Sequence, residues 1–331
     1  MRVHGVEARG SMGQTAKRAS SEREAAPAAQ RGWFTVERLA VATVVLGYIL
    51  ILIGGVVRIE GAGMGCGDDW PICNGKVIPT FSYLTTIEYL HRVVAGAILL
   101  LTSWLVFATW RQARRSDARR WLTVTALVLV LAQALLGAVT VFAELDPRAV
   151  TAHLGMAQAY FAIMIVIAFI GYARPGRPAR PASPAIVRAA IVAIAATFGL
   201  LLTGAYTASS GAAWACPQWP LCHGKYFPTG WTSADVHILH RWLALITIGA
   251  IVWLLVVAVR DAGMSARVSM LAGLALALTL IETLIGAANI WTELANWVRI
   301  SHLAFATLVW GALIVLVAEW LPLRLPAPAR T

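Results

Sequence analysis

Trp70-Pro71-Ile72-Cys73-Asn74-Gly75-Lys76 recurs 149 residues later as Trp219-Pro220-Leu221-Cys222-His223-Gly224-Lys225. The same offset relates His91-Arg92 to His240-Arg241 and His153 to His302. It also relates Leu135, Gly137, Ala138, Glu144 and Leu145 to Leu284, Gly286, Ala287, Glu293 and Leu294. Between residues 70–92 and 219–241, 10 of 23 positions are identical. A self-similarity of this kind marks an internal duplication. Here it preserves polar, metal-capable residues in a chain that is otherwise strongly apolar.

The chain is 59% hydrophobic and 13% charged, against about 25% charged for an ordinary soluble domain. Its apolar runs exceed the roughly 18 residues that mark a membrane span. Eight helices are predicted, at 39–57, 87–110, 121–142, 150–172, 185–207, 235–259, 267–290 and 298–321. The fold class is therefore an all-α polytopic membrane protein. Long unbroken apolar segments do not alternate as barrel strands do. Each copy holds four spans, an even number, so both copies enter from the same side. The expected architecture is two parallel-repeat four-helix bundles side by side, related by an axis along the membrane normal.

The net charge of +11 is a topology signal and not a nucleic-acid footprint. All but seven of the 27 Lys and Arg residues fall in the terminal tails and in the 111–120, 174–188 and 260–267 loops. That side is expected to be cytoplasmic, with both termini inside and the basic residues near membrane lipid. Residues 1–32 carry no apolar core before the first span, so they read as a disordered cytoplasmic tail and not a signal peptide. Residues 33–173 form the N-terminal bundle, 174–184 a Pro/Arg linker, 185–321 the C-terminal bundle and 322–331 a second cytoplasmic tail.

On this topology His91, His153, His240 and His302 lie near the outer beginnings of even-numbered helices. Facing side chains in a bundle are where cofactor sites are built, and ionisable residues in spans are costly and usually functional. A lone histidine would more simply bond a neighbouring helix. Two equally spaced pairs fit six-coordinate heme iron, with apolar walls against the porphyrin faces. Zinc would want more Cys or carboxylate ligands at shorter spacing. Arg92 and Arg241 follow the first histidine of each pair; propionate contact and plain interfacial anchoring are equal readings.

Cys66 and Cys73 sit in the first outer loop, Cys216 and Cys222 in its counterpart, and there is no other cysteine. Proximity favours the disulfides Cys66–Cys73 and Cys216–Cys222, in a compartment where disulfides persist. A zinc site across the loops is the alternative. Covalent heme attachment at Cys222-His223 would need a cysteine where Trp219 stands. Trp70 and Trp219 read either as lids over a heme edge or as interfacial anchors.

The copies disagree at Glu88, three residues before His91 on one helix face, where the second copy has His237. A first-turn carboxylate facing water would be ordinary. Beside a heme ligand it is expensive unless it bonds or reacts. The asymmetry places a reactive centre in the first half and an electron carrier in the second.

With Glu88-Tyr89-Leu90-His91-Arg92, His153, His240-Arg241, His302 and the paired outer-loop cysteines, the chain resembles the heme A synthase family over roughly residues 39–321. The family oxidises the C8 methyl of heme O to a formyl group, giving heme A for terminal oxidases. The resemblance implies heme b as cofactor between His240 and His302, and the heme O substrate between His91 and His153. It implies that Glu88 is catalytic and that Cys66–Cys73 is the family's first-loop disulfide; the second cysteine pair goes beyond that. Expected partners are membrane lipid, heme O synthase, a membrane electron acceptor and a second copy of the chain, with the plasma membrane as location. The competing class is a bis-histidine membrane cytochrome b that only transfers electrons. A transporter would instead place broken spans at the midplane, whereas the polar residues here gather at the outer rim.

Overall fold

A computed structural model describes residues 35–112, 118–172, 182–261 and 265–320. The tails at 1–32 and 322–331, and most of the 174–184 linker, lie outside the described residues.

Eight helices account for the apolar runs: α1 Val36–Ile59, α2 Tyr83–Gln112, α3 Ala118–Phe142, α4 Pro147–Tyr172, α5 Pro184–Ser209, α6 Ser233–Arg260, α7 Ala266–Trp291 and α8 Asn296–Ala318. Each is long and apolar enough to cross a membrane, since about 20 residues at 1.5 Å rise cover the hydrocarbon. No named strand occurs among the described residues. The helix starts carry their own signals. Ser183 caps α5, accepting from the Ile186 N–H, with Pro184 in the first turn. Thr232 and Asp235 form a reciprocal capping box on α6.

Helix adjacency follows the duplication. The helices α1, α2, α3 and α4 pack in a closed ring, α1 against α4. The helices α5 to α8 close a second ring in the same order, α5 against α8. The rings meet through α4–α8, α4–α5 and α1–α8. At the α4–α8 crossing, Gln158 donates from Nε2 to Thr307 Oγ1 at 3.0 Å. These two residues are themselves 149 apart, and both are fully buried. Apolar contacts finish the seam, with Ile51, Phe161, Leu201 and Trp310 among its buried members.

The loops repeat too. The turn residues Asn74 and His223, and the pairs Glu144-Leu145 and Glu293-Leu294, share positive φ. Inside each ring the large buried cluster lies toward the ends of α1 and α5 where those helices begin. In the first ring it includes Leu39, Leu105, Ala126 and Met164; in the second, Ala193, Leu254, Ala272 and Leu313. The opposite, loop-bearing half of each ring is where the histidines stand.

Candidate heme sites

His91 is the ninth residue of α2, His153 the seventh of α4, His240 the eighth of α6 and His302 the seventh of α8. At 1.5 Å per residue, all four lie about 10–13 Å into their helices from the loop-bearing end. In each ring the two histidines stand on helices that face each other across the ring. His240 and His302 have ring centres 6.4 Å apart with planes crossed at 87°. Two imidazoles on one iron need about 6.2 Å, from roughly 2.0 Å per metal–nitrogen bond and roughly 1.1 Å from nitrogen to ring centre. The Nδ1 atoms of His91, His153 and His302 are buried, while the His302 side chain as a whole is 33% exposed. The open edge of that ring is thus the Nε2 side. The residues present fit a bis-histidine heme.

A glycine on the preceding helix backs each imidazole. A Cβ added at Gly54, Gly137 or Gly286 would sit 3.2 Å from Cε1 of His91, His153 or His302, and one at Gly204 only 2.9 Å from Cε1 of His240. Gly137 and Gly286 match at the 149-residue offset, but nothing in the sequence alone marks a glycine as part of the site.

Support behind the histidines differs between the rings. Nδ1 of His91 and of His153 has no hydrogen-bond partner among the described residues. In the second ring Thr203 Oγ1 is 3.4 Å from His240 Nδ1. Glu282 Oε1 is 2.8 Å from His302 Nδ1, within reach but out of line with the ring N–H. The counterpart of Glu282 in the first ring is Gln133, whose Nε2 donates to the His153 carbonyl at 3.0 Å. This second disagreement between the copies was readable at the 149-residue offset and was missed.

Glu88 does not face bulk solvent: it is 4% exposed. Its Oε2 accepts the Cys66 N–H at 2.8 Å and its Oε1 is 2.5 Å from Arg92 Nη2. Arg92 Nη1 donates to the carbonyls of Asp69 (2.8 Å) and Ile72 (2.7 Å). The second ring repeats this tie with a histidine. His237 Nδ1 is 3.2 Å from the Ala212 carbonyl and Nε2 is 3.5 Å from Arg241 Nη2. Arg241 Nη1 donates to the carbonyls of Pro220 and Leu221. Both arginines therefore clamp a loop to its helix. The loops are closed by the disulfides Cys66–Cys73 and Cys216–Cys222, each with S–S 2.01 Å, so no thiol is left for zinc.

Residues 37–314 match the COX15-CtaA family model, described as cytochrome oxidase assembly protein. The chain belongs to this family. A heme A synthase from Shouchella clausii is 30% identical over 263 residues, covering 78% of this chain and 87% of that protein. One from Bacillus licheniformis is 27% identical over 283 residues, covering 82% and 93%. One from Alkalihalophilus pseudofirmus is 29% identical over 211 residues, covering 62% and 71%. The family match and the eight spans agree with a multi-pass membrane protein of heme A biosynthesis. They favour that reading over a cytochrome b that only carries electrons.

Proposed function

We propose that this chain oxidises the C8 methyl of heme O to a formyl group, with heme O held by His91 and His153 and a resident heme b held by His240 and His302. The observation that carries the division is the unequal backing of the ligands. A substrate must enter and leave, and the first-ring imidazoles have no polar partner fixing their orientation. A resident cofactor is better served by ligands oriented from behind; in the second ring Thr203 Oγ1 is 3.4 Å from His240 Nδ1, and Glu282 Oε1 is 2.8 Å from His302 Nδ1, within bonding distance though not aligned with the ring N–H. The resident heme supplies a one-electron relay.

With water as oxygen source, the conversion is CH3 plus H2O to CHO, releasing four protons and four electrons in two successive two-electron oxidations. The electrons leave toward a membrane acceptor through the second ring. Glu88 stands one helical turn before His91 and is pre-oriented by the Cys66 N–H and Arg92. In this reading it takes a proton from the reacting methyl or stabilises positive charge that develops on the macrocycle. Arg92 and Arg241 act first as loop clamps, and their remaining N–H edges serve the propionates. The two rings are parallel copies, with the disulfide loops on the outer face of the plasma membrane and both termini inside. Heme O synthase supplies the substrate, and self-association of the chain belongs to the same reading.

The test expresses wild type and Glu88→Ala in a host that makes heme O but no heme A, then separates extracted hemes by chromatography. Wild type is expected to yield heme A. Glu88→Ala should keep its low-spin heme but yield none, or stall at the hydroxymethyl stage. Full heme A yield from Glu88→Ala removes Glu88 from the chemistry. No heme A from a heme-loaded wild type supplied with an electron acceptor removes the enzyme reading.

A further inference from the structure

Each ring holds one carboxylate close to a histidine ligand, and the two are not equivalent. In the first ring it is Glu88, bonded to Cys66 and Arg92 at the loop. In the second it is Glu282, in the interior of α7 and 9% exposed. Its Oε2 is buried with no hydrogen-bond partner among the described residues, and its Oε1 lies 2.8 Å from His302 Nδ1. At the matching position Gln133 is neutral and turned to a backbone carbonyl. A buried carboxylate half without partners is costly, so its retention there asks for a compensating interaction. When Nε2 of a histidine binds a metal, Nδ1 carries the proton, and an acceptor behind it fixes the ring and strengthens its donation.

We infer that Glu282 is a positioning residue for the second-ring heme: it accepts the Nδ1–H of His302, orients the imidazole and lowers the reduction potential of the iron. This rests on the proposal that His302 ligates heme. A small turn of the imidazole about its Cβ–Cγ bond brings the N–H into line with a carboxylate already at bonding distance. Stronger donation favours the ferric state. The potential of the second-ring heme is thereby set below the value the same site would have with a glutamine, the residue that stands at the equivalent place in the first ring and turns to the His153 carbonyl. Sequence comparison across the duplication supports a specialised function: one copy keeps an acid where the other keeps its amide isostere.

The experiment uses the full chain with His91→Ala, which leaves the second ring as the bis-histidine site. Its heme is titrated against potential by absorbance, with the low-spin electron paramagnetic signature recorded alongside. Adding Glu282→Gln is expected to keep the low-spin signature and to raise the ferrous-to-ferric ratio about tenfold at the midpoint of the parent, a shift of about 59 mV for one electron. A ratio changed less than twofold, with the low-spin heme intact, overturns the inference. Should Glu282→Gln hold no heme, the reciprocal change decides. Gln133→Glu in a His240→Ala background should lower the first-ring ratio about tenfold, and no change there overturns the inference. Absence of any bis-histidine heme in the His91→Ala parent is a different failure. It refutes the ligand assignment under the proposed function, and this inference with it.

Discussion

At the scale of single residues, four glycines leave the room into which the four imidazoles lean. Glycine in a helix interior costs up to about 1 kcal/mol relative to alanine, so four placed behind four histidines call for a packing reason. That reason is room: without a Cβ on the neighbouring helix, each imidazole can lean into it and free its other edge for the ring interior. Gly204 is the tightest, at 2.9 Å from His240 Cε1. Gly204→Ala should push the imidazole aside by a few tenths of an ångström. It should reduce heme retained per protein several-fold or convert part of it to high-spin, even though alanine favours the helix. Gly199→Ala on the same helix, where nothing lies within 4 Å, is the control and should leave the spectrum unchanged. Identical spectra from both variants would refute the cradle. The histidines and Glu88 were legible because polar side chains in apolar spans are conspicuous and recur at a fixed offset. The glycines were not, because an empty side chain shows its purpose only when its neighbour is in place. Glu282 was passed over because it lies 20 residues from His302 in sequence and approaches it only when α7 packs on α8.

At the scale of elements, each disulfide loop is bound to the helix after it by an arginine one turn beyond Glu88 or His237. Arg241→Ala removes two charge-assisted bonds to the Pro220 and Leu221 carbonyls, each worth roughly 1.5–3 kcal/mol when made to a charged donor. The loop should then loosen while α6 persists. Limited proteolysis is expected to cut the variant between residues 223 and 232 several-fold faster than wild type, where Tyr226, Phe227 and Trp231 are already exposed. Equal cleavage rates would show that the Cys216–Cys222 disulfide holds the loop unaided. All eight helices were legible from apolar run length, and their ends less so. The second span was expected from 87 but begins at Tyr83, because Ser82 accepts the Thr85 N–H at 3.3 Å and starts the helix in a polar turn. The sixth was expected from 235 and begins at Ser233, where the Thr232–Asp235 capping box sets the start. Hydrophobicity locates the part of a helix in the bilayer; capping side chains decide where the backbone begins to coil.

At the scale of the whole molecule, two rings that could each enclose one heme are joined along α4 and α8, and the joint meets at equivalent residues of the two copies. The equivalent residues Gln158 and Thr307 differ in chemistry, and the one hydrogen bond between them runs from the amide to the hydroxyl. Gln158 donates from its side-chain amide, and its backbone carbonyl accepts the Trp310 indole N–H at 2.9 Å. Interhelical hydrogen bonds in membranes contribute about 0.6 kcal/mol on average and about 1.7 at most. Close packing must therefore hold the seam, where Trp310 of α8, at 5% exposure, shares a buried cluster with Ile51, Phe161 and Ile165 of the first ring. Gln158→Leu should cost about 0.5–2 kcal/mol of stability, whereas Trp310→Ala should cost about 3–5 kcal/mol, the range for emptying a large aromatic site. Thermal unfolding of the heme-loaded protein in detergent, followed by loss of the heme spectrum, reads both. Trp310→Ala should melt well below Gln158→Leu, and each should still load heme at low temperature because neither residue is a ligand or backs one. If Gln158→Leu proved the more damaging, the polar pair would be the main fastening between the rings, and the packing account of the seam would be wrong.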